Sequence, residues 1–472
     1  MAARPVFTTG PTMRHVVVMT ATASVGLVAV FVVDLFNLFY ISLLGQQALA
    51  AALGYAATVI FFTVSVCIGL AIATTAIVSR TLGAGDEAAA GRQASTCLVF
   101  VAAVTALVAA LLYPNIPAAL RLVGAEGETL AVGAHFMRIT VPTVPLLALG
   151  MAMGGLLRAR GDARRAMYVT LVGAGVASIT DPILIFGLDL GITGAAITTG
   201  LTRVTLVLVG LHGCHVVHRM FGPLDAATLR ATLWPFAAIG APAVATQLAT
   251  PVGNAYVTAS IAEFGDDAVA GWAIVGRVLP VAFGTIFALS GAIGAILGQN
   301  YGAHLFGRVR QALKDALVFC LVYVASVWAI LALANDLIVS AFDATGDAAA
   351  IVRFFCLFVA GSFLFNGALF VANAAFNNLG DAFYATLFNW GRATLGVIPF
   401  VYVGKAWGAE GVLAGWGLGA IVFGILAVIV AFRVVAKLPE RARQEAREKR
   451  EARHTPPSAN SPFTSGKGAV GG

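Results

Sequence analysis

A carboxylate and an amide interrupt the first long apolar stretch of this sequence. Between Val16 and Leu44, a segment long enough to cross a bilayer as a helix, Asp34 is the one acid and Asn37 the one amide. An acid near the centre of a transmembrane helix costs about 2.5 to 3.5 kcal/mol to insert. Because residues three apart share a helix face, we predict a polar facet turned toward a bundle interior or an aqueous cavity. The alternative is a structural Asp bonded to neighbouring hydroxyls.

The composition is that of a polytopic membrane protein. Of the 472 residues 59% are hydrophobic and 11% are charged, against about 25% charged in soluble domains, and the mean hydropathy is +0.91. The first apolar run is longer than the core of a signal peptide and lacks an A-x-A-type cleavage site, so we interpret it as the first span. The five cysteines are scattered without C-x-x-C spacing, which predicts neither a disulfide framework nor a metal site.

Hydropathy predicts an all-α fold with twelve membrane-spanning helices. The predicted spans are 16–44, 50–79, 95–113, 130–157, 166–187, 191–213, 231–262, 268–298, 312–334, 348–376, 382–404 and 408–435.

Basic residues concentrate in alternate connections between these spans. They are Arg4, Arg14, Arg80, Arg92, Arg158, Arg160, Arg164, Arg165, Arg219, Arg230, Arg308, Arg310 and Lys314, whereas the other connections are mostly acidic. The positive-inside rule then predicts a multi-pass protein of the cell (inner) membrane with both termini in the cytoplasm. Much of the net charge of +7 belongs to the C-terminal tail, which we expect to be attracted to anionic lipid. A nucleic-acid partner is not predicted.

Short motifs recur at a nearly constant separation along the chain. Gly161 and Asp162 recur as Gly380 and Asp381, and Gly83 recurs at the same separation as Gly302. The same order of motifs in both halves predicts two six-helix lobes related by a parallel repeat, a known transporter plan. The predicted units are an N-terminus (1–15), an N-lobe (16–213), a connection (214–230), a C-lobe (231–435) and a basic tail (436–472).

Four segments together resemble the multidrug and toxic compound extrusion (MATE) family: LLGQQALAAALGYA, AIVSRTLGAGDEAAAGRQ, LRARGDA and DPILIFGLDLGITGAAITTG. The resemblance extends over about residues 15 to 435. It implies a two-lobe secondary antiporter that exports organic cations or amphiphilic drugs in exchange for inward H⁺ or Na⁺. It also implies a monomer without cofactor or enzymatic activity, whose partners are small substrates and the lipid bilayer.

The resemblance assigns an ion and substrate site to the N-lobe. The family's first-span Asp falls on Asn37, and Asp34 stands one turn earlier, so acid and amide look exchanged. In the fifth span Asp181, before Pro182, matches the family's acidic position. The full N-lobe set adds Thr199, which matches a site threonine, and two hydroxyls, Ser178 and Thr180, which could substitute for a family amide that is Ala177 here.

Two carboxylates in one dry cavity disfavour being ionised together, so one of them is expected to carry a proton. The C-lobe offers only neutral polar residues where a sodium-coupled member has acids: Gln247, Thr250, Asn254, Asn366 and Asn373. We therefore predict H⁺ rather than Na⁺ as the coupling ion. Two deeper C-lobe charges, Arg277 and Arg392, are either intramembrane counter-charges or arginines bonded to carbonyls.

Two other functions fit a many-helix plan. A lipid or lipid-linked sugar flippase would need more cavity arginines or lysines for a diphosphate, and the available ones are Arg138, Arg203, Arg277, Arg353 and Arg392. A membrane-embedded transferase would need a catalytic cluster. The H-x-x-H-x-x-H run of His212, His215 and His218 could bind a metal, but we interpret it as a titratable cytoplasmic edge.

Overall fold

The computed structural model describes residues 6–43 and 47–454; for residues 34, 35, 37–39, 41–43, 47, 48, 50, 445, 446 and 448–454 it describes the backbone alone. Every regular element in these ranges is a helix. The α-helices are α1 (Thr12–Leu43), α2 (Gln47–Gly83), α3 (Glu87–Leu112), α4 (Ile116–Leu122), α5 (Gly127–Thr140), α6 (Val144–Arg160), α7 (Ala163–Pro182), α8 (Gly191–Leu211), α9 (Ala226–Ala262), α10 (Asp266–Gly302), α11 (Phe306–Leu333), α12 (Asn335–Ala341), α13 (Gly346–Phe354), α14 (Phe363–Leu379), α15 (Ala382–Gly391), α16 (Ile398–Gly404) and α17 (Gly408–His454).

Short turns of other helix types extend or join these helices. The π turns are Ile183–Gly187, His212–Val217, Phe355–Val359 and Arg392–Gly396; the 3-10 turns are Val6–Thr8, Tyr113–Asn115, Val141–Thr143, Ala360–Ser362 and Lys405–Trp407. Several membrane crossings therefore consist of two helices with a turn between them, as in α5 and α6.

Ten segments of the described chain are long and apolar enough to cross a membrane. The last of them, Ala382–Gln444, would measure about 95 Å as one straight helix, about three times the thickness of a bilayer core. It folds back near Gly404, where a Cβ would lie 2.1 Å from the carbonyl oxygen of Gly411, and so provides two crossings. Helix α9, which contains three prolines, provides the remaining crossing. The prediction of twelve membrane helices is confirmed.

The repeat is visible in where the helices begin. The first residues of two equivalent helices are always separated along the sequence by the same number of residues as Gly161 and Gly380. The pairs are α2 and α10, α3 and α11, α4 and α12, α5 and α13, α6 and α14, and α7 and α15. Both α6 and α14 end at a glycine in the left-handed region, Gly161 and Gly380, where a side chain would be strained. The chain thus forms two parallel six-crossing lobes, one containing α1–α8 and the other α9–α17.

We call the end of the bundle that carries the basic connections the basic end, and the opposite end the acidic end. At the basic end the two lobes meet through α2 and α10 with no space between their backbones. A Cβ on Gly83 would lie 2.0 Å from the carbonyl oxygen of Gln299, and one on Gly302 would lie 1.8 Å from that of Arg80. The bundle is therefore closed at its basic end.

The N-terminal segment covers this closed end. Phe7 is 1% exposed, and its backbone N–H donates to Oε1 of Gln299 at 2.9 Å. Its carbonyl accepts hydrogen bonds from Asn300 Nδ2 at 3.1 Å and Arg308 Nη2 at 2.8 Å. Thr12, the first residue of α1, donates to the carboxylate of Asp315 on α11. The segment therefore holds α1 against the C-lobe.

The last crossing continues beyond the membrane as one helix. Whereas the sequence predicts a span that ends at residue 435, α17 extends to His454. Arg441 donates from both terminal nitrogens to the carboxylate of Asp381, at 2.6 Å and 3.3 Å. This ion pair fixes the start of the tail to the basic end of α15.

Candidate functional site

The buried acid of the N-lobe lies near the acidic end of α7. Asp181 is 1% exposed and is followed by Pro182 and by the π turn Ile183–Gly187. At 1.5 Å per residue it lies about 9 Å from the end of that turn. A proline and a π turn both interrupt regular helical hydrogen bonding, so the acid sits where its helix is most easily repacked.

Helix α1 runs parallel to α7 and in close contact with it. A Cβ on Gly26 would lie 2.1 Å from Oγ1 of Thr170, and the ring of Tyr40 packs edge-on against that of Phe186 at 5.9 Å. Interpolation between these two contacts places the backbone of residues 34 to 37 at the level of Asp181. The side chains of Asp34 and Asn37 lie outside the described residues.

The predicted N-lobe hydroxyls all bond within their own helices. Thr199 Oγ1 donates to Ala195 O at 3.0 Å, and its Cα lies about 12 Å from the start of α8, close to the depth of Asp181. The hydroxyls of Ser178 and Thr180 donate to the carbonyls of Ala174 and Val176. Ser178 is exposed and Thr180 half-buried, whereas Ala177, one turn before Asp181, is buried. The structure thus places Ala177 rather than either hydroxyl on the buried face of Asp181.

The C-lobe contains a buried base in the crossing equivalent to the one that contains α7. Arg392 is 5% exposed, begins the π turn that follows α15, and donates from Nη2 to Oγ1 of Thr250 on α9 at 3.2 Å. Equivalent crossings of the two lobes therefore carry opposite ionisable groups, Asp181 in one and Arg392 in the other. The sequence identified Arg392 as a deep charge but gave no partner for it.

Amides lie on the helices that pack next to this arginine. Asn389, one turn before Arg392, donates from Nδ2 to Oδ1 of Asn373 on α14 at 3.0 Å; sequence reasoning did not single out Asn389. Gln247 is half-buried one turn before Thr250, and Asn366 is buried two turns before Asn373. Asn254 is exposed on α9. The structure thus brings Thr250 to Arg392 and Asn373 to Asn389, one turn earlier in the same crossing, whereas Asn254 is exposed.

The remaining membrane arginines do not gather around one site. Arg203, 6% exposed, donates from Nη1 to Thr140 O at 2.7 Å and to Thr143 Oγ1 at 2.8 Å. Arg353 pairs with Asp336 at the acidic end at 2.8 Å. Arg138 and Arg277 are exposed. These contacts do not form the arginine cluster that a diphosphate would require.

The three histidines of the H-x-x-H-x-x-H run make different contacts. Nε2 of His218 lies 2.7 Å from Oδ2 of Asp162, His215 stacks on Phe221 at 5.9 Å between ring centroids, and His212 is exposed. Within the described ranges no group of three or more His, Cys, Asp or Glu side chains could hold a metal ion.

Asp162 caps α7 at the basic end, outside the membrane. Burial raises the pKa of its carboxyl, but the backbone N–H and guanidinium of Arg165 together with His218 outweigh burial and hold this pKa below its ordinary value. The carboxylate accepts from Arg165 N at 3.0 Å and from Arg165 Nη1 at 2.6 Å. Asp162 is therefore a structural anion at a helix N-terminus.

Ionisable groups buried inside a two-lobed, twelve-crossing bundle define the class as a membrane transporter, because such residues mark transport pathways and are costly elsewhere. Comparison with known proteins identifies the family. The MatE family model matches residues 22–183 and again residues 242–403. The two matches are equally long and follow each other at nearly the separation of the internal repeat. The chain belongs to the MatE family of multidrug and toxic compound extrusion transporters, so it is a transporter and not an enzyme.

Similar proteins cover almost the whole chain. A FAD transporter of Shewanella oneidensis is 27% identical over 90% of this chain and 95% of its own length. The multidrug export protein MepA of Staphylococcus haemolyticus is 23% identical over 85% of this chain and 89% of its own. A crystal structure of the Vibrio cholerae MATE transporter VcmN superimposes with a TM-score of 0.85 at 25% identity, covering 90% of this chain and 97% of that chain.

Proposed function

We propose that the chain is a secondary antiporter that exports small amphiphilic molecules in exchange for protons, with Asp181 and Asp34 as the proton-binding carboxylates. The observation that carries this proposal is the burial of Asp181 in an apolar lobe, next to a proline and a π turn. A carboxylate at such a position changes the local charge balance each time it binds or releases a proton.

The mechanism follows from that change of charge. Protonation of Asp181 removes a negative charge from the N-lobe and permits the helix to repack at Pro182 and the π turn that follows it. A substrate that binds the deprotonated lobe more tightly is then released, and by linkage the substrate also promotes proton release to the same extent. Transport across the membrane further requires the closed basic end to open, which separates Gly83 from Gln299 and Gly302 from Arg80.

Proton coupling is favoured over sodium coupling by the chemistry of the C-lobe. Its described carboxylates lie at helix ends and in loops, or are bonded at the basic end, as Asp315 and Asp381 are. The described membrane interior of this lobe offers hydroxyls, amides and Arg392 instead. A cation site prefers carboxylate and carbonyl oxygens, and a buried arginine disfavours a second cation.

The substrates are proposed to be small molecules with an apolar body. The rings of Phe36 and Tyr40 stack at 6.3 Å on α1, within two turns of position 34, and Phe36 is exposed. The relatives are named for different cargoes, multidrug substrates in one case and FAD in the other. FAD carries phosphate groups, so one of the two named cargoes is an anion.

A flippase for a lipid diphosphate is the second candidate, and the separation of Arg203, Arg353 and Arg392 disfavours it. We also propose that the chain acts as a monomer and that the basic end, with both termini, faces the cytoplasm. Modification of a cysteine introduced at exposed Arg219 by an impermeant maleimide should occur in inverted vesicles and not in intact cells; the opposite result would reverse the orientation.

The decisive experiment is ethidium efflux in inverted membrane vesicles under an imposed pH gradient or an imposed sodium gradient. Proton antiport predicts accumulation of the dye with a pH gradient alone. Dye movement that follows sodium in the absence of a pH gradient would overturn the proposed coupling ion. A flippase predicts no gradient-driven dye movement.

A further inference from the structure

The buried arginine of the C-lobe lies near the middle of the membrane. Arg392 is the tenth residue after the start of α15, so its Cα lies about 15 Å along a crossing whose apolar core is about 30 Å thick. An arginine at that depth costs at least about 2.5 kcal/mol to insert. The π turn Arg392–Gly396 begins at this residue, and π turns are frequent at functional sites.

No acid neutralises this charge among the described residues. The one hydrogen bond of the guanidinium is the contact of Nη2 with Thr250, and the buried Nε has no partner in the described ranges. The nearest described carboxylates in the sequence, Asp381 and Glu410, lie toward opposite ends of the bundle, and Asp381 is paired with Arg441. The positive charge is therefore available to a ligand.

The polar side chains on the helices next to this arginine are neutral. Asn373 accepts a hydrogen bond from Asn389, but its own amide nitrogen donates none to the part of the chain that the structure describes. Gln247 and Asn366 likewise have no hydrogen-bond partner there, and Thr250 lies one turn after Gln247 on the same face of α9. A guanidinium with nearby amide N–H donors is the arrangement that binds carboxylates and phosphates in proteins.

We propose that Arg392, together with Thr250, Gln247, Asn366 and Asn373, binds the anionic group of the exported substrate, a carboxylate or a phosphate. Asn389 donates both of its amide hydrogens within the protein and positions Asn373. The inference rests on the proposed export function, because it names the chemical class of the exported molecule. Asp181 and Arg392 carry opposite charges in equivalent crossings, so the two lobes have different roles. The N-lobe exchanges protons, and the C-lobe selects anionic or zwitterionic amphiphiles.

The test is equilibrium binding by the purified full-length protein in detergent, which needs no ion gradient. Two pairs of probes are used, and the members of each pair differ only in the anionic group. Riboflavin is paired with riboflavin 5′-phosphate, which adds a phosphate. Rhodamine 123, an ester, is paired with rhodamine 110, the corresponding carboxylate. The wild-type protein should bind at least one anionic member about tenfold more tightly than its partner, and the pair that shows the preference identifies the anion. Equal or weaker binding of both anionic members would overturn the proposal.

Three variants locate the site. Arg392→Gln should abolish the preference, and Arg392→Lys should keep part of it, because lysine retains the charge but not the planar fork. Arg277→Gln, a change to an exposed arginine of the same lobe, is the matched control and should retain the preference. An unchanged preference in Arg392→Gln would place the anion site elsewhere. If that variant fails to fold, competition for binding to the wild-type protein tests the site. An anionic probe that neither inorganic phosphate nor acetate displaces would contradict the proposed site.

The same measurements separate this inference from the proposed coupling. Asp181→Asn should retain the binding preference while it loses proton-driven transport. A retained preference in a wild-type protein that shows no proton-driven transport would remove the coupling proposal and leave the anion site. Proton-driven transport of a cationic dye by a wild-type protein that shows no preference for anionic probes would support the coupling proposal and contradict the anion site.

Discussion

Arg80 and Gln299 occupy equivalent positions in the two repeats, and each reaches across the boundary between the lobes to the end of an equivalent helix. Arg80 donates from Nε to Asn378 O and from Nη2 to Asn377 O, both at 2.9 Å. Gln299 donates from Nε2 to Ala159 O at 2.7 Å. Ala159 and Asn378 are themselves equivalent positions of the repeat, so the internal symmetry relates these two contacts, which we call the clasps.

The clasps hold the basic end of the bundle closed. Each joins α2 or α10 to the last carbonyls of a helix in the other lobe, α14 or α6, where a helix dipole favours positive charge. They are not equal, because only the Arg80 clasp is charge-assisted. Any state that opens at the basic end must break both clasps and displace Phe7, which bonds to Gln299.

We first predict that Gly302→Ala prevents full closure of the basic end and lowers transport at least about tenfold. The added Cβ would lie 1.8 Å from the carbonyl oxygen of Arg80, and a backbone carbonyl cannot move aside as a flexible side chain can. Gly307→Ala is the matched control, since a Cβ at Gly307 meets nothing within 4 Å. Maleimide labelling of Ser79→Cys, a buried position on α2, should accelerate in Gly302→Ala and not in the control. Equal labelling would contradict the role assigned to the glycine.

Asp181→Asn should abolish proton-coupled efflux without unfolding the protein. The amide keeps the shape and hydrogen-bonding capacity of the side chain but cannot exchange a proton. Efflux under a pH gradient measures the coupling, and size-exclusion elution in detergent measures folding. Ser326→Ala serves as the control, because Ser326 is exposed and bonds within its own helix. Wild-type efflux by Asp181→Asn would show that this acid does not carry the proton.

The exchange of acid and amide in α1 should be partly reversible. Asp34→Asn should be inactive, and the double change with Asn37→Asp should recover part of the activity, because positions 34 and 37 share a helix face. The shift of the carboxylate amounts to about 4.5 Å along the axis, which changes its hydrogen-bond partners and limits the recovery. The measurement is efflux at equal expression. A double variant as inactive as the single one would mean that the two positions are not equivalent.

The Asp162 cluster should make stability depend on pH. The pKa of Asp162 is lower in the folded protein than its unfolded value of about 3.9. Its contribution is therefore fully present above that unfolded pKa and is lost as the pH falls through the folded pKa. Thermal unfolding in detergent between pH 7 and about pH 3 should show this loss in the wild type and less of it in Asp162→Asn. Asp266→Asn, a change at an exposed position, should behave as the wild type does.

The sequence by itself determined the class, the family and the repeated plan, and these predictions are confirmed. A run of about 20 apolar residues is required by the thickness of a bilayer core, so hydropathy reveals crossings without any knowledge of their neighbours. The glycines at 161 and 380 mark helix ends for an equally local reason, since their positive φ disfavours a side chain. The functional roles of Asp34, Asp181 and the C-lobe amides stay predictions.

Tertiary structure alone decided which polar residues meet. Hydropathy does not encode how far each helix is rotated about its axis or how it is aligned with its neighbours, because packing sets both. For that reason the sequence could not tell that Ala177 rather than Ser178 shares the buried face of Asp181. Nor could it pair Arg392 with Thr250, 142 residues away, or Arg80 with Asn378, 298 residues away. The Arg80 contact exists only because two lobes with the same plan close against each other, whereas the Arg392 contact depends on how the helices pack within the C-lobe.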